Sequence, residues 1–305
     1  PRFDRPDELP YRSHGNTFDA SIGDVDNDGV FDIVLATITH AWAGESSDRS
    51  RVLFGSKTGA EGLRFATRAN VSLDRVPQEP EPRPENYRPR WNQGDLFCEL
   101  ADLDHDGRLD LILSSGDYPD PAPYDNRLRI FHQQTDGSFK DVTGESGIDH
   151  VGSAQLSLAD IDVDGDMDIL VGQSYNRFTP EIIAATNTRQ QSDGPRARVF
   201  LNQASELKPR SSITISFIGN PREKIAYDPL GLVARLTVTK PDGSKLVQMR
   251  HMTGIGGHGG KQNQFLVHFG LAGAARADKL EVMWPGTPSL VTTVENAAEL
   301  SPNHY

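Results

Sequence analysis

The chain has a single cysteine, Cys98, in 305 residues. This excludes a disulfide within the chain and haem attachment through a Cys-x-x-Cys-His motif. Flanked by Phe97 and Glu99, Cys98 reads as a small buried side chain. No apolar stretch approaches the ~20 residues of a transmembrane helix. Basic residues are also short, with 31 Lys and Arg against 43 Asp and Glu and a net charge of −12. A chain this acidic is unsuited to nucleic acid or an anionic membrane surface. Catalytic signatures are missing as well. The nine histidines form no HExxH spacing, and no GxSxG, Walker or Rossmann pattern stands in a fitting context. The glycine-rich run from Gly254 to Gly260, with His251 and His258 beside it, opens no evident helix and reads as a surface loop rather than a phosphate cradle. These absences point to a non-enzymatic protein. The first residue is Pro1 and not Met, as expected if an N-terminal signal or anchor has been removed.

Turn formers are plentiful, with 28 Gly and 20 Pro, whereas helical periodicity is scarce. The one helix expected spans 180–188, with Thr179 as N-cap and Pro180 at the first helical position. Short Val, Ile, Leu and Phe runs dominate elsewhere and read as strands.

The loop DxDxDGxxD occurs three times, starting at Asp24, Asp102 and Asp160, at spacings of 78 and 58 residues. Each copy runs into an apolar strand: Ile33-Val34-Leu35, Leu111-Ile112-Leu113 and Ile169-Leu170-Val171. Further strands follow at Arg51–Phe54, Leu128–Phe131 and Arg198–Leu201, and Asp136-Gly137-Ser138-Phe139 turns into another. The repeating unit is therefore loop, strand, connection, strand, turn, strand. The longer first spacing is explained by residues 76–92, a proline-rich, charged surface insertion carrying Tyr87 and Trp91.

In such a loop, carboxylates at positions 1, 3 and 5 converge as the backbone curls. Glycine at position 6 takes a left-handed turn, position 7 offers its carbonyl, and the aspartate at position 9 closes the shell. The ligand sets are Asp24, Asp26, Asp28, Val30 and Asp32; Asp102, Asp104, Asp106, Arg108 and Asp110; and Asp160, Asp162, Asp164, Asp166 and Asp168. Val30, Arg108 and Asp166 would contribute carbonyls, with the Asp166 side chain turned away. Five to seven hard oxygens suit Ca²⁺ better than Mg²⁺ or a transition metal. Up to three Ca²⁺ are expected, and three would halve the net charge to −6. The loop is not an EF-hand, because position 12 falls on Leu35, Leu113 and Val171 inside β-runs. Binding near 10⁻⁴–10⁻³ M, as in extracellular modules of this kind, fits an extracytoplasmic location: periplasmic, secreted or surface-attached.

The stretches Gly23–Gly29 and Ala159–Gly165 resemble the FG-GAP/VCBS repeats of integrin-α-type β-propellers. Arg129–Phe131, Asp136–Thr143 and Ser146–Ile148 resemble the segment between one such loop and the next. Past residue 207 the aspartate loops stop, and alternating strands at 212–217, 234–239 and 246–252 suggest a second β module, with Pro241–Ser244 as a hairpin turn. There Gly231–Ala234, Gly254–Gly257, His268–Leu271 and Val282–Gly286 resemble the ASPIC/UnbV domain that follows such repeats in bacterial secreted proteins and in the cartilage acidic protein family.

The resemblance implies an all-β fold: a β-propeller-like repeat domain over 1–207, built of four-stranded blades, and a small antiparallel β domain over 208–305. The expected function is protein interaction, in the form of an accessory or scaffold subunit of a larger envelope or membrane electron-transfer complex. The competing expectation is a polysaccharide-binding or carbohydrate-active protein using the propeller face.

Overall fold

The computed structural model describes residues 16–39, 49–57, 62–73, 93–116, 128–176, 178–207, 212–254, 260–286 and 290–295. The proline-rich insertion 76–92 and His258 lie outside them. The fold is all-β, as the repeat pattern predicts.

Two blades are antiparallel four-stranded meanders. The first comprises β1 (Asn16–Gly23), β2 (Asp32–Thr39), β3 (Arg51–Lys57) and β4 (Leu63–Ala66). The second comprises β5 (Gln93–Ala101), β6 (Asp110–Ser115), β7 (Leu128–Gln133) and β8 (Phe139–Asp141). Pairing of Ile38 with Gly94 and Thr39 with Gln93 joins them at one edge. The third blade has three strands: β9 (Ser153–Ala159), β10 (Asp168–Gln173) and β11 (Arg198–Phe200). Between β10 and β11 lies α1 (Pro180–Gln190). It is capped as expected by Thr179, whose side chain accepts the Ile182 N–H, and runs two residues beyond the expected end.

Apolar side chains from neighbouring blades pack into two cores. Val34, Val52, Phe54, Cys98, Leu111 and Phe131 fill the first, so the lone cysteine is a buried core residue as expected. Ile112, Leu128, Ile130, Leu156, Leu158 and Ile169 fill the second. A buried ion pair braces the second blade internally, and the same arginine reaches the segment that follows the first blade. Both Nη2 contacts of Arg129 to the Asp95 carboxylate are 2.9 Å, and Arg129 Nη1 donates to the Leu73 carbonyl.

A short helix, α2 (Ala204–Leu207), precedes the C-terminal module. That module has two sheets. One pairs β12 (Ser212–Ser216) with β15 (Leu266–Gly270). The other runs β14 (Lys245–His251), β13 (Val233–Thr239), β16 (Ala277–Met283), β17 (Val291–Glu295). The sheets enclose a core of Ile213, Leu232, Leu236, Val267, Phe269, Leu280 and Val282. Trp284 packs on this core, edge-on to Phe217 at 6.2 Å, so it is a packing residue as expected for an aromatic of its size.

The expected unit of loop, strand, connection, strand, turn and strand folds in full in the first two blades, whereas among the described residues the third has no final turn and strand and leads into α2 instead. Every aspartate loop joins the first strand of a blade to its second, and all three border the C-terminal module.

Candidate metal centres at the domain junction

The three loops have one backbone design. The glycine at position 6 is left-handed in each (Gly29, φ 83°; Gly107, φ 86°; Gly165, φ 96°). Position 4 is left-handed too, at Asn27, His105 and Val163 (φ 57°, 63° and 61°). A β-branched residue resists that conformation, so the curl is imposed on Val163 by its surroundings. The position-1 carboxylate stitches the turn: Asp24 accepts the N–H groups of Asp28 and Gly29 (3.0 and 3.1 Å), and Asp160 those of Asp164 and Gly165 (both 3.0 Å).

Positions 1, 3 and 9 come together in every loop. One oxygen from each of Asp24, Asp26 and Asp32 lies within 4.8 Å of the others, and the same holds for Asp102, Asp104 and Asp110 and for Asp160, Asp162 and Asp168. Position 5 is not a member of these three groups: Asp28, Asp106 and Asp164 each accept the backbone N–H of position 7, at 2.8–2.9 Å, although Asp106 also gathers with Asp104 and His132 in a group of its own. Arg68 pairs with Asp26, and the Arg108 side chain pairs with Asp106. The Asp166 side chain points away from its loop, as expected. It accepts the Ser205 N–H (2.8 Å) and lies 3.3 Å from His105 Nε2 of loop two.

Position 9 has a second role that the motif does not reveal. It is the first residue of the second strand, and its carboxylate bridges the loop to the third strand of the blade or to the residues just past that strand. Asp32 accepts from Val25 and Gly55 (both 2.7 Å), Asp110 from Leu103 and Gln133 (3.1 and 3.0 Å), and Asp168 from Ile161 and Asn202 (2.7 and 2.8 Å). With both oxygens holding a backbone N–H, any metal bond from position 9 uses the remaining lone pairs.

These carboxylates are costly to ionise. Burial pushes Asp32 and Asp102 up to about 7 and Asp24 to about 6. Asp110 is raised well above the usual range, by burial and then by the Asp102 charge. A cation shared by loops one and two is the buried Arg250 of β14, which draws Asp24 and Asp102 partly back down. Asp102 Oδ1 is buried and has no hydrogen-bond partner, although Oδ2 accepts the Gly107 N–H at 2.8 Å. An orphaned, desolvated carboxylate oxygen beside Asp104 and Asp110 fits a cation site. These acidic groups are therefore suited to hold metal ions.

The C-terminal module supplies residues that the motif could not indicate. Gly270 lies so close to loop two that a Cβ there would collide with Asp102 Oδ2 and sit 2.6 Å from His105 Cα. Ala272 N–H donates to the His105 carbonyl (2.9 Å), and Arg250 Nη2 reaches the Gly107 carbonyl (3.4 Å). Ser212 Oγ and His268 Nε2 both donate to the Gly165 carbonyl of loop three, at 2.8 and 3.2 Å. Deeper in, Lys261 enters between the innermost strands, pairing with Asp19 of β1, Glu99 of β5 (2.9 Å) and the Cys98 carbonyl. A cavity of about 120 Å³ with a mixed polar and apolar lining, bordered among others by Glu99, Asp102, Arg250, Asn263 and His268, lies along the junction and has room for several waters.

Two family models match the chain: FG-GAP-like repeat over residues 102–171, and ASPIC and UnbV over residues 228–305. The first match takes in loops two and three. Loop one lies outside it but repeats their geometry. Among curated proteins, no sequence matches the chain. The chain thus combines FG-GAP-like repeats with a C-terminal ASPIC/UnbV domain.

Proposed function

We propose that this protein is a calcium-binding, extracytoplasmic protein-interaction module without enzymatic activity. Three Ca²⁺ ions, one per loop, would stiffen the connections between the first two strands of each blade. The observation that carries the calcium reading is the orphaned, buried Oδ1 of Asp102, a residue whose carboxylate is grouped with those of Asp104 and Asp110. All-oxygen, carboxylate-rich sites on a flexible loop favour Ca²⁺ over smaller or softer ions.

The interaction reading rests on the two domain types together with the exposed sheet edge at β17. That strand is exposed along its whole length, including Val291 and Val294. Among the described residues no strand pairs with its outer edge, which offers backbone groups to an added strand. In its more specific form, the protein is an accessory or scaffold subunit of an envelope or membrane complex. Among the described residues no helix is long and apolar enough to cross a membrane.

The test is chemical cross-linking of the native assembly in calcium, followed by mass spectrometry and by calorimetric titration of the purified chain with Ca²⁺ and Mg²⁺. Cross-links from the β17 region to another envelope protein, with calcium preferred over magnesium, support the proposal. Heat uptake for neither ion, or turnover of a polysaccharide by the purified chain, would overturn it.

A further inference from the structure

The three aspartate loops, 58 and 78 residues apart in sequence, all border the C-terminal module: loop one at β13, loop two at β14 and β15, and loop three at β12 and β15. That module anchors mainly to their backbone. The carbonyls of His105, Gly107 and Gly165 accept from Ala272, Arg250, Ser212 and His268. The loops also brace one another: Asn27 Nδ2 donates to the Gly107 carbonyl (3.1 Å), and His105 reaches Asp166. A methyl group added at Gly107 would run into Leu246 of β14, and one at Gly29 would lie 3.5 Å from Arg235 Nη2 of β13.

We infer that the metal loops form a latch: metal occupancy and docking of the ASPIC/UnbV module are thermodynamically linked. The inference rests on the calcium reading and adds a consequence of it. The directions of the anchoring carbonyls are set by the curl of each loop, and that curl is held by the position-1 and position-9 carboxylates that converge on the metal. Asp102 is shared most directly. It belongs to the group with Asp104 and Asp110, its Oδ1 has no hydrogen-bond partner, and its Oδ2 lies under Gly270. Without an ion, the repulsion among Asp102, Asp104 and Asp110 favours an open loop. Opening turns the carbonyls of Gly107 and His105 away from β14 and Ala272. Linkage is reciprocal, so a docked module raises metal affinity by the same factor by which metal favours docking. Lys261, paired with Asp19 and Glu99 away from the loops, is a metal-independent tether. Metal loss therefore loosens the loop side of the junction without freeing the module.

Two measurements on the full chain test the latch. The first is hydrogen–deuterium exchange with Ca²⁺ and with chelator. Chelation is expected to speed exchange in 245–251 and 266–272 by about tenfold, while β16 in the interior of the module's own sheet stays protected. Faster exchange in β16 as well would mean that the module unfolds rather than undocks, and would refute the latch. The second is calorimetric Ca²⁺ titration of Gly270→Ala. Gly270 is not in the left-handed region, so alanine suits its backbone, and the atoms its methyl meets most closely are Asp102 Oδ2 and the His105 backbone of loop two. The latch predicts about tenfold weaker binding at one site. Gly144→Ala, where a methyl meets no atom within 4 Å, should bind as the unmodified chain does. Normal calcium binding by Gly270→Ala, or bound calcium without the exchange difference, overturns the latch and leaves the calcium reading intact. Absence of any calcium binding removes both.

Discussion

Replacing Asp102 by asparagine should change stability in opposite directions with and without calcium. In the metal-free protein the Asp102 carboxylate is buried, and its pKa stands near 7 against an ordinary 3.8. A folded-state pKa above the unfolded value means that folding favours the protonated form. Holding the group ionised at pH 8 therefore costs about 4 kcal/mol, at roughly 1.4 kcal/mol per pKa unit. Asparagine keeps an oxygen for the Gly107 N–H and removes the charge, so Asp102→Asn recovers up to that amount. Part of the gain is lost because Arg250 gives up one of its opposing charges. In calcium the balance reverses, because the substitution removes a charged ligand. With a Kd of about 10⁻⁴–10⁻³ M, 10 mM Ca²⁺ stabilises one site by about 1.4–2.7 kcal/mol. At roughly 2 °C per kcal/mol for a chain of this size, that contribution is worth about 3–5 °C. Thermal unfolding followed by circular dichroism at pH 8, with 10 mM Ca²⁺ and with chelator, reads both arms. Asp102→Asn should melt above the unmodified chain in chelator and gain several degrees less from calcium. A variant that melts lower in chelator and gains as much from calcium as the original would refute the reasoning.

The same shifts give the metal-free protein a pH dependence. Asp24, Asp32 and Asp102 all titrate above their unfolded value, so metal-free stability falls as pH rises from about 4 to about 7. Calcium competes with those protons, and its stabilising effect should shrink between pH 7.5 and pH 5, as melting curves at both pH values will show. Lys261→Met keeps the aliphatic stem but leaves Asp19 and Glu99 buried without their cation. A loss of about 3–5 kcal/mol is expected in urea unfolding, and a loss below 1 kcal/mol would contradict the placement of this side chain. Gly29→Ala and Gly107→Ala both force alanine into a left-handed turn, at about 1–2 kcal/mol each. Only Gly107→Ala also pushes into Leu246, so it should weaken calcium binding more in parallel titrations.

Local chemistry made much of this architecture legible. The glycine at position 6, the strand after each loop, the Thr179 cap and the Pro241–Ser244 turn act over a few residues, and the fold reproduces them. What could not be read are the contacts made across long sequence separations. Gly270 belongs to a stretch that resembles ASPIC/UnbV, yet its need to be glycine comes from Asp102 and His105, more than 160 residues earlier. Arg250 looks like an ordinary strand residue until β14 is laid over two acidic loops. Lys261 comes directly after a glycine-rich run that suggested only a surface loop, and it is buried against two carboxylates. The position-9 aspartates carried a signal for a ligand but none for a tie to the third strand, because partners such as Gly55 and Gln133 are set by blade geometry. Position 5 shows the reverse. The pattern counts it as a ligand, and the fold directs one of its oxygens to the neighbouring N–H of position 7.

The most direct measurement is native mass spectrometry of the chain, stripped of metal and then equilibrated with Ca²⁺. It is to be repeated with Asp32→Asn, Asp110→Asn and Asp168→Asn singly. Three bound Ca²⁺ are expected for the unmodified chain and two for each variant. A chain that binds no calcium, or a count that none of the three substitutions changes, would contradict the assignment of the aspartate loops as metal centres.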